Sequence, residues 1–137
     1  MISNNANIQY NQVSEKEQRL GVHIIDIALC IHKALGPGLL ESIYEKCFCY
    51  ELSKRGVAFE RQKIVTLKYD QLVIDEGLRI DLLVDDLVVV ELKAQVYYHP
   101  VWEAQILSYL KLSNKRLGYI LNFNVPLMKE GMKRMIV

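Results

Sequence analysis

The chain has 137 residues, a formal net charge of +1 and 51% hydrophobic residues. That length suits one ordinary domain with a real core, and the near-neutral charge gives no overall field that would favour nucleic acid, a membrane or an acidic partner. No run approaches the roughly 18 apolar residues of a membrane span, and the polar start lacks a signal-like apolar stretch. We therefore expect a soluble, cytoplasmic protein with no membrane partner.

The first residues are polar and rich in Asn and Gln. We expect a flexible segment over residues 1–13 and a single domain over residues 14–137. Ser14 followed by Glu17 matches a capping box, and apolar residues at helical spacing follow it. This pattern predicts a first helix that ends at residues 36–38, which read Gly-Pro-Gly.

A second helix is predicted from about Leu39 to Arg55, where Gly56 would end it. Its helical spacing predicts that Leu40 and Tyr44 belong to the buried face. The two helices together would supply one apolar layer against the rest of the domain.

The second half of the chain alternates between strand-like and helical patterns. In chain order, these patterns predict strands in residues 57–75 joined by a turn near residues 69–71, and then strands at 78–84 and 87–93. They also predict a helix from Pro100 or Val101 to about 113, a strand at 116–123 and a short last strand at 133–137. This order of elements predicts an α/β (α+β) fold with a mixed central sheet flanked by helices.

Charged residues interrupt the two most apolar strands. Glu91 and Lys93 are two residues apart in one strand, so they share a face, and Asp81 lies in the strand before it. A two-residue turn at Asp85-Asp86 would put Glu91 opposite Ile80 and leave Asp81 on the other face. A three-residue loop or a bulge would instead pair Asp81 with Glu91, and aspartate tolerates the left-handed conformation that such a loop needs.

Two carboxylates held close together repel each other, and Mg²⁺ or Mn²⁺ is a natural compensation. Lys93 beside them could orient or deprotonate a metal-bound water, or bind a phosphate. This set outlines a site that hydrolyses phosphodiesters. On these residues alone, the favoured alternative is an ordinary Glu-Lys pair at a strand end, with Asp81 in an unrelated hydrogen bond.

Two helical segments carry further polar residues on one face. Glu41 and Tyr44 are three residues apart at the start of the second helix, and Gln105 and Tyr109 are four apart in the third. The alternative is that both tyrosines are core aromatics whose hydroxyls reach the surface.

The order of these motifs resembles the GxxExxY family of the PD-(D/E)XK nuclease-like superfamily, near its RecB-type and phage lambda exonuclease-type members. The motifs are Gly38-x-x-Glu41-x-x-Tyr44, Arg79-Ile80-Asp81, Glu91-Leu92-Lys93-Ala94 and Glu103-Ala104-Gln105 with Tyr109. The resemblance extends from about residue 21 to the C-terminus. One departure is Ile80, which stands where the superfamily often has a proline.

The resemblance implies a restriction-endonuclease-like core and a Mg²⁺ or Mn²⁺ site. It implies metal ligands at Glu41, Asp81, Glu91 and, through its backbone carbonyl, Leu92. It implies catalytic residues at Glu41, Asp81, Glu91, Lys93, Gln105 and Tyr109. Among them Lys93 would be the catalytic lysine, and Gln105 and Tyr109 would steady the lysine, the carboxylates or a substrate phosphate.

We expect a nuclease acting on DNA, in repair, defence or mobile-element biology, with a second copy or a partner protein extending its small surface. Clustered basic residues support nucleic acid as the partner: Lys111, Lys115, Arg116, Lys129, Lys133 and Arg134. Near the site, His99 could stack on a base or bind metal, and Trp102 is expected to pack. Two alternatives stay open, a non-catalytic nucleic-acid-binding or partner module, and an α/β enzyme acting on a smaller phosphate.

Overall fold

The computed structural model describes residues 13–137. Most of the segment expected to be flexible, residues 1–12, therefore lies outside the described residues. The first described residue, Val13, is buried and packs in the main core. No helix within this described range is both long and apolar enough to cross a membrane.

Among residues 13–137, three α-helices and a 3-10 turn form the helical part: α1 (Glu15–Leu35), α2 (Glu41–Lys54), α3 (Val101–Leu112) and the turn (Met128–Gly131). The capping box of α1 is confirmed, because the Glu17 N–H donates to Ser14 Oγ (3.1 Å) and the Ser14 N–H donates to Glu17 Oε1 (2.9 Å). The prediction that α2 buries Leu40 is wrong. Leu40 stands just before the helix and is 71% exposed, whereas Tyr44 is fully buried as predicted.

In the part of the chain that the structure describes, seven strands form two sheets: β1 (Phe59–Ile64), β2 (Leu67–Tyr69), β3 (Leu72–Ile74), β4 (Arg79–Val84), β5 (Val88–Lys93), β6 (Leu117–Asn122) and β7 (Met132–Ile136). The main sheet has the order β1-β4-β5-β6-β7, with β5 and β6 parallel and the other neighbours antiparallel. β2 and β3 form a separate hairpin. The predicted mixed sheet flanked by helices is confirmed.

The central strands of the main sheet, β4, β5 and β6, are covered on both faces, whereas the edge strands β1 and β7 are partly exposed. One face packs with residues of α1 and α2 in the larger core cluster, and the other packs against α3 in a smaller one. β5 and β6 lie inside this sandwich, which explains why they are nearly continuous apolar runs rather than alternating ones.

The loop between β4 and β5 has three residues, Asp85 to Leu87, because Val84 pairs with Val88. Asp85 and Asp86 both have left-handed backbones, with φ of 51° and 55°. The register of a two-residue turn is therefore excluded. This loop length decides which side chains meet at the far ends of the two strands.

Candidate active site

The three-residue loop brings Asp81 and Glu91 together. Backbone pairing of β4 with β5 runs from Val84 and Val88 to Leu82 and Val90, and the next residues along the two strands are Asp81 and Glu91. The Leu92 N–H donates to Asp81 Oδ2 at 2.9 Å. Asp81 and Glu91 are therefore neighbours across the two strands. The arrangement that the sequence left open is therefore the one found.

Glu91 is a buried acid whose carboxyl group is incompletely paired. It is 6% exposed, and its Oε1 has no hydrogen-bond partner among the described residues. Burial raises the pKa of this carboxyl group to about 10, with the charge and hydrogen bond of Asp81 adding to the effect and Lys93 opposing it. Such a group weakens the fold, and this combination is typical of functional sites.

Lys93 lies beside these acids, and its ammonium group is not paired with a carboxylate of the described residues. Its Nζ is 5.5 Å from the centre of the Trp102 ring, a cation–π contact. Within residues 13–137 it forms no salt bridge. Trp102 is buried, so the expectation that it packs is confirmed, and it also orients the lysine. His99 packs edge-on against the same indole ring.

Glu41 approaches the site from the first turn of α2. Burial raises the pKa of its carboxyl group, followed by the charge of Asp81, while Lys93 lowers it and Glu45 raises it slightly. These couplings require that Glu41 face the same space as the β4–β5 acids. It is also exposed, whereas Asp81 is partly exposed and Glu91 is buried.

Tyr44 holds the start of α2 in place. Its hydroxyl donates to the Gly36 carbonyl (2.6 Å) and accepts from the Leu39 N–H (3.1 Å), and its ring stacks on Phe123 with centroids 4.5 Å apart. Tyr44 is therefore a core aromatic, as the alternative interpretation held, although its hydroxyl is engaged inside the protein. These two hydrogen bonds fix the turn before α2, and this turn sets the position of Glu41.

Tyr109 and Gln105 lie on α3, which packs on the face of the main sheet opposite to α2. Burial raises the pKa of the Tyr109 hydroxyl, and the charges of Glu91 and Asp81 raise it further, so this side chain faces the acids. Gln105 lies one turn earlier on the same helix face and is exposed. Its amide forms no hydrogen bond with the part of the chain described here. The structure brings Tyr109 to the acids and leaves Gln105 open to solvent at their edge.

A buried polar cluster next to the site escaped the sequence reasoning. Glu45 is 8% exposed, accepts from Arg61 Nη2 (2.7 Å) and from Gln62 Nε2 (2.6 Å), and lies one helical turn after Glu41. Gln62 has a left-handed backbone (φ 50°) at the β1 position that continues the register to Asp81. The spacing of Glu41 and Glu45 in the sequence indicates that they share one helix face. The sequence does not indicate which strand residues bind Glu45.

Asn122 was also missed, and it fixes the segment that follows Lys93. Its side chain accepts from the Gln95 N–H (3.0 Å) and donates to the Gln95 carbonyl (3.1 Å). Nothing in the sequence distinguishes this buried asparagine from the apolar residues around it, because its partner is reached only across the parallel β5–β6 pair.

The acids suit a divalent cation, although they are not arranged as a preformed centre. Among residues 13–137, no three His, Cys, Asp or Glu side chains converge as a metal site. Mg²⁺ is commonly held by only one or two carboxylates and keeps several waters. The unpaired Oε1 of Glu91 and the repulsion between Glu91 and Asp81 are what such an ion would relieve. The Leu92 carbonyl and Glu41 are the further oxygens that could hold it.

Some of the basic residues lie far from these acids. Val88 pairs with Leu117 and Glu91 pairs with Ile120, so Lys115 and Arg116 precede the opposite end of β6, about 13–17 Å of strand from the position of Glu91. Lys115 forms a salt bridge with Asp86 there (3.3 Å). For these two residues, the expected basic surface beside the site is wrong. They line a cavity of about 570 Å³ at the far end.

The chain matches the family model described as the PD-(D/E)XK nuclease superfamily over residues 18–135. No curated protein matches it. The matched range contains both strands of the acid pair and the Glu91-Leu92-Lys93 sequence that gives such a motif its last letters. Because the match covers most of the chain, and the mixed sheet beneath it is the expected scaffold, this protein belongs to the PD-(D/E)XK nuclease superfamily.

Proposed function

We propose that the protein is a metal-dependent nuclease that hydrolyses phosphodiester bonds of DNA, in the GxxExxY branch of its superfamily. The observation that carries this proposal is Glu91, a buried acid with an unpaired oxygen, beside Asp81 and two residues from an uncommitted lysine. A purely structural Glu-Lys pair would be expected to form a salt bridge, and none joins Glu91 to Lys93 in the described residues.

In this proposal, Asp81 and Glu91 bind Mg²⁺ or Mn²⁺ together with the Leu92 carbonyl, and Glu41 binds it directly or through water. The bound ion would supply an activated water and stabilise negative charge on the phosphate. Two supports come from the chain itself. Asp81 is held by the Leu92 N–H (2.9 Å), and Glu41 is held by the turn that Tyr44 fixes. Asp81 and the start of α2 would therefore be held in place, and the remaining oxygens would close around the ion when it binds.

Lys93 would position the attacking water or contact the scissile phosphate. Its ammonium group is directed by the Trp102 ring rather than by a carboxylate, so three N–H donors stay available. Tyr109 would donate a hydrogen bond into the acid cluster or to the phosphate, and Gln105 would reach the same phosphate from the rim of α3. A phosphate held by several such donors in one orientation is the arrangement that hydrolysis requires.

The test is a cleavage assay with the full chain on single-stranded, nicked and linear duplex DNA and on an RNA strand, each with Mg²⁺, Mn²⁺ or EDTA. We expect cleavage of DNA that depends on the metal and that falls about 10²–10⁴-fold in Lys93→Ala. Lys16→Ala is the matched control, since this exposed lysine pairs with Asp85 at the far end of the molecule. DNA binding without cleavage in any metal would instead support a non-catalytic binding module.

We also propose that a second copy or a partner protein extends the nucleic-acid surface. The support is size, because a chain of 137 residues offers little area to grip a duplex. Gel filtration together with activity at matched concentrations tests this, and a monomer with full activity would contradict it.

A further inference from the structure

Exposed apolar side chains concentrate at the end of the sheet that carries the acids. β1 and β5 end there, β4 begins there, and the β2–β3 hairpin extends from the same end. Segments at this end expose large apolar residues: Leu40 before α2, Ile64 and Leu72 around the hairpin, and Val96, Tyr97 and Val101 after β5. We call these exposed residues the apolar rim; apolar side chains exposed around a site are typical of a surface that a ligand covers.

The loop after β5 is the part of this rim nearest to Lys93. It is anchored at one end by the two Gln95–Asn122 hydrogen bonds. At the other end, the Tyr98 hydroxyl donates to Glu103 (2.8 Å), and its ring meets Trp102 edge-on at 5.0 Å. The short stretch between these anchors is therefore held in one place.

Between the anchors, Val96 and Tyr97 face solvent and are 74% and 78% exposed. Tyr97 makes no hydrogen bond or ring contact with the described residues, in contrast to its neighbour Tyr98. An aromatic ring displayed on a fixed loop loses little conformational entropy when it binds. Tyr97 follows Lys93 by four residues, so it lies within about 14 Å of it along the chain.

We propose that Tyr97 is a stacking platform for an unpaired base next to the phosphate at Lys93, so that the substrate is single-stranded or frayed where it is cut. This inference rests on the proposed nuclease function. A base inside a duplex has both faces covered by its neighbours, whereas an unpaired base offers a face to an aromatic ring. Stacking on a tyrosine does not depend on which base is present, so the preference would be for strand state rather than sequence.

The first test measures binding without cleavage, as fluorescence anisotropy of a labelled oligonucleotide in EDTA. We expect Tyr97→Ala to weaken binding of a single strand about 10–100-fold and Tyr97→Phe to bind like wild type. Binding of a fully paired duplex should change little. Tyr50→Ala is the matched control, because Tyr50 is also an exposed tyrosine and lies toward the far end of α2. An equal loss for single strand and duplex, or no loss, would overturn the proposal.

The second test removes the base instead of the ring. A strand that is abasic throughout should bind wild type about as weakly as the normal strand binds Tyr97→Ala, and combining both changes should cost nothing more. Additive losses would mean that Tyr97 and the bases act independently, which contradicts stacking. Loss of a dimer in gel filtration of Tyr97→Ala would assign the rim to a second copy and also overturn the proposal. If wild type cleaves no nucleic acid, the proposed nuclease function is wrong. The binding measurements in EDTA still test whether Tyr97 stacks on an unpaired base.

Discussion

Glu45 and Glu91 are both buried glutamates, but their surroundings are opposite. Glu45 has a partner for each oxygen, Arg61 and Gln62, at 2.7 and 2.6 Å. Glu91 has an oxygen with no partner among residues 13–137 and a neighbouring carboxyl group, and burial raises its pKa to about 10. Burial alone therefore does not identify a functional acid in this molecule. The informative feature is burial without the compensation that a folded chain normally provides.

A similar contrast applies to Glu45 and Glu41, the two glutamates on one face of α2. Glu45 ties the helix to β1, and Glu41, one turn earlier, is left to face the proposed metal site. Under the proposed function, the paired acid Glu45 holds the helix in place, and Glu41, Asp81 and Glu91 would hold the ligand. Each of the following predictions tests whether this division is real.

The largest expected effect is on catalysis. We expect Glu91→Gln to lower metal-dependent kcat/KM about 10³-fold or more, because it removes a charge that holds an ion worth several kcal/mol to the reaction. Glu45→Gln should change kcat/KM less than about tenfold, since its carboxyl group contacts neither the ion nor the phosphate in our account. Steady-state cleavage of the best DNA substrate checks both variants, and similar losses in the two would remove the distinction.

The same two variants should shift stability in opposite directions. Glu91→Gln replaces an unpaired buried acid and should raise the free energy of unfolding by about 1–2 kcal/mol, or the melting temperature by about 3–6 °C. Glu45→Gln leaves Arg61 or Gln62 facing an NH₂ group and should lower the free energy by about 1–3 kcal/mol. Thermal and urea unfolding in EDTA measure this. A destabilised Glu91→Gln would show that Glu91 is a structural acid after all.

Tyr44→Phe tests whether the α2 start is positioned by the hydroxyl. Losing the bonds to Gly36 and Leu39 should lower stability by about 1 kcal/mol and reduce activity several-fold through the displacement of Glu41. Tyr50→Phe serves as the control, since its ring is exposed on the same helix. A loss of stability with fully retained kcat and metal affinity would mean that the turn does not position Glu41.

The smallest expected effect belongs to the partly exposed partner of Glu45. Arg61→Gln should lower the free energy of unfolding by about 0.5–1 kcal/mol, because solvent screens this pair. Raising the salt concentration to about 1 M should shrink the difference between wild type and variant. A difference that is unchanged by salt would point to packing of the arginine stem instead.

Sequence periodicity predicted the helices and strands and placed Glu91 and Lys93 on one face, because both follow from local geometry. It left the partner of Glu91 open, since Asp85 and Asp86 permit more than one loop and only the paired sheet selects among them. The support of Glu41 by Tyr44 and of Gln95 by Asn122 depends on contacts between distant elements, which periodicity does not report. Leu40 was wrongly predicted to be buried for a related reason. Its spacing from Tyr44 is helical, but Leu40 stands just before α2 and does not belong to the buried face of the helix.

Calorimetric titration of Mn²⁺ and Mg²⁺ into the metal-free protein shows whether Asp81 and Glu91 form the proposed divalent-metal site. We expect one ion per chain in wild type, no measurable binding in Glu91→Gln and unchanged binding in Glu45→Gln. Equal binding by wild type and Glu91→Gln, or none by wild type in the presence of cleavable DNA, would contradict the account.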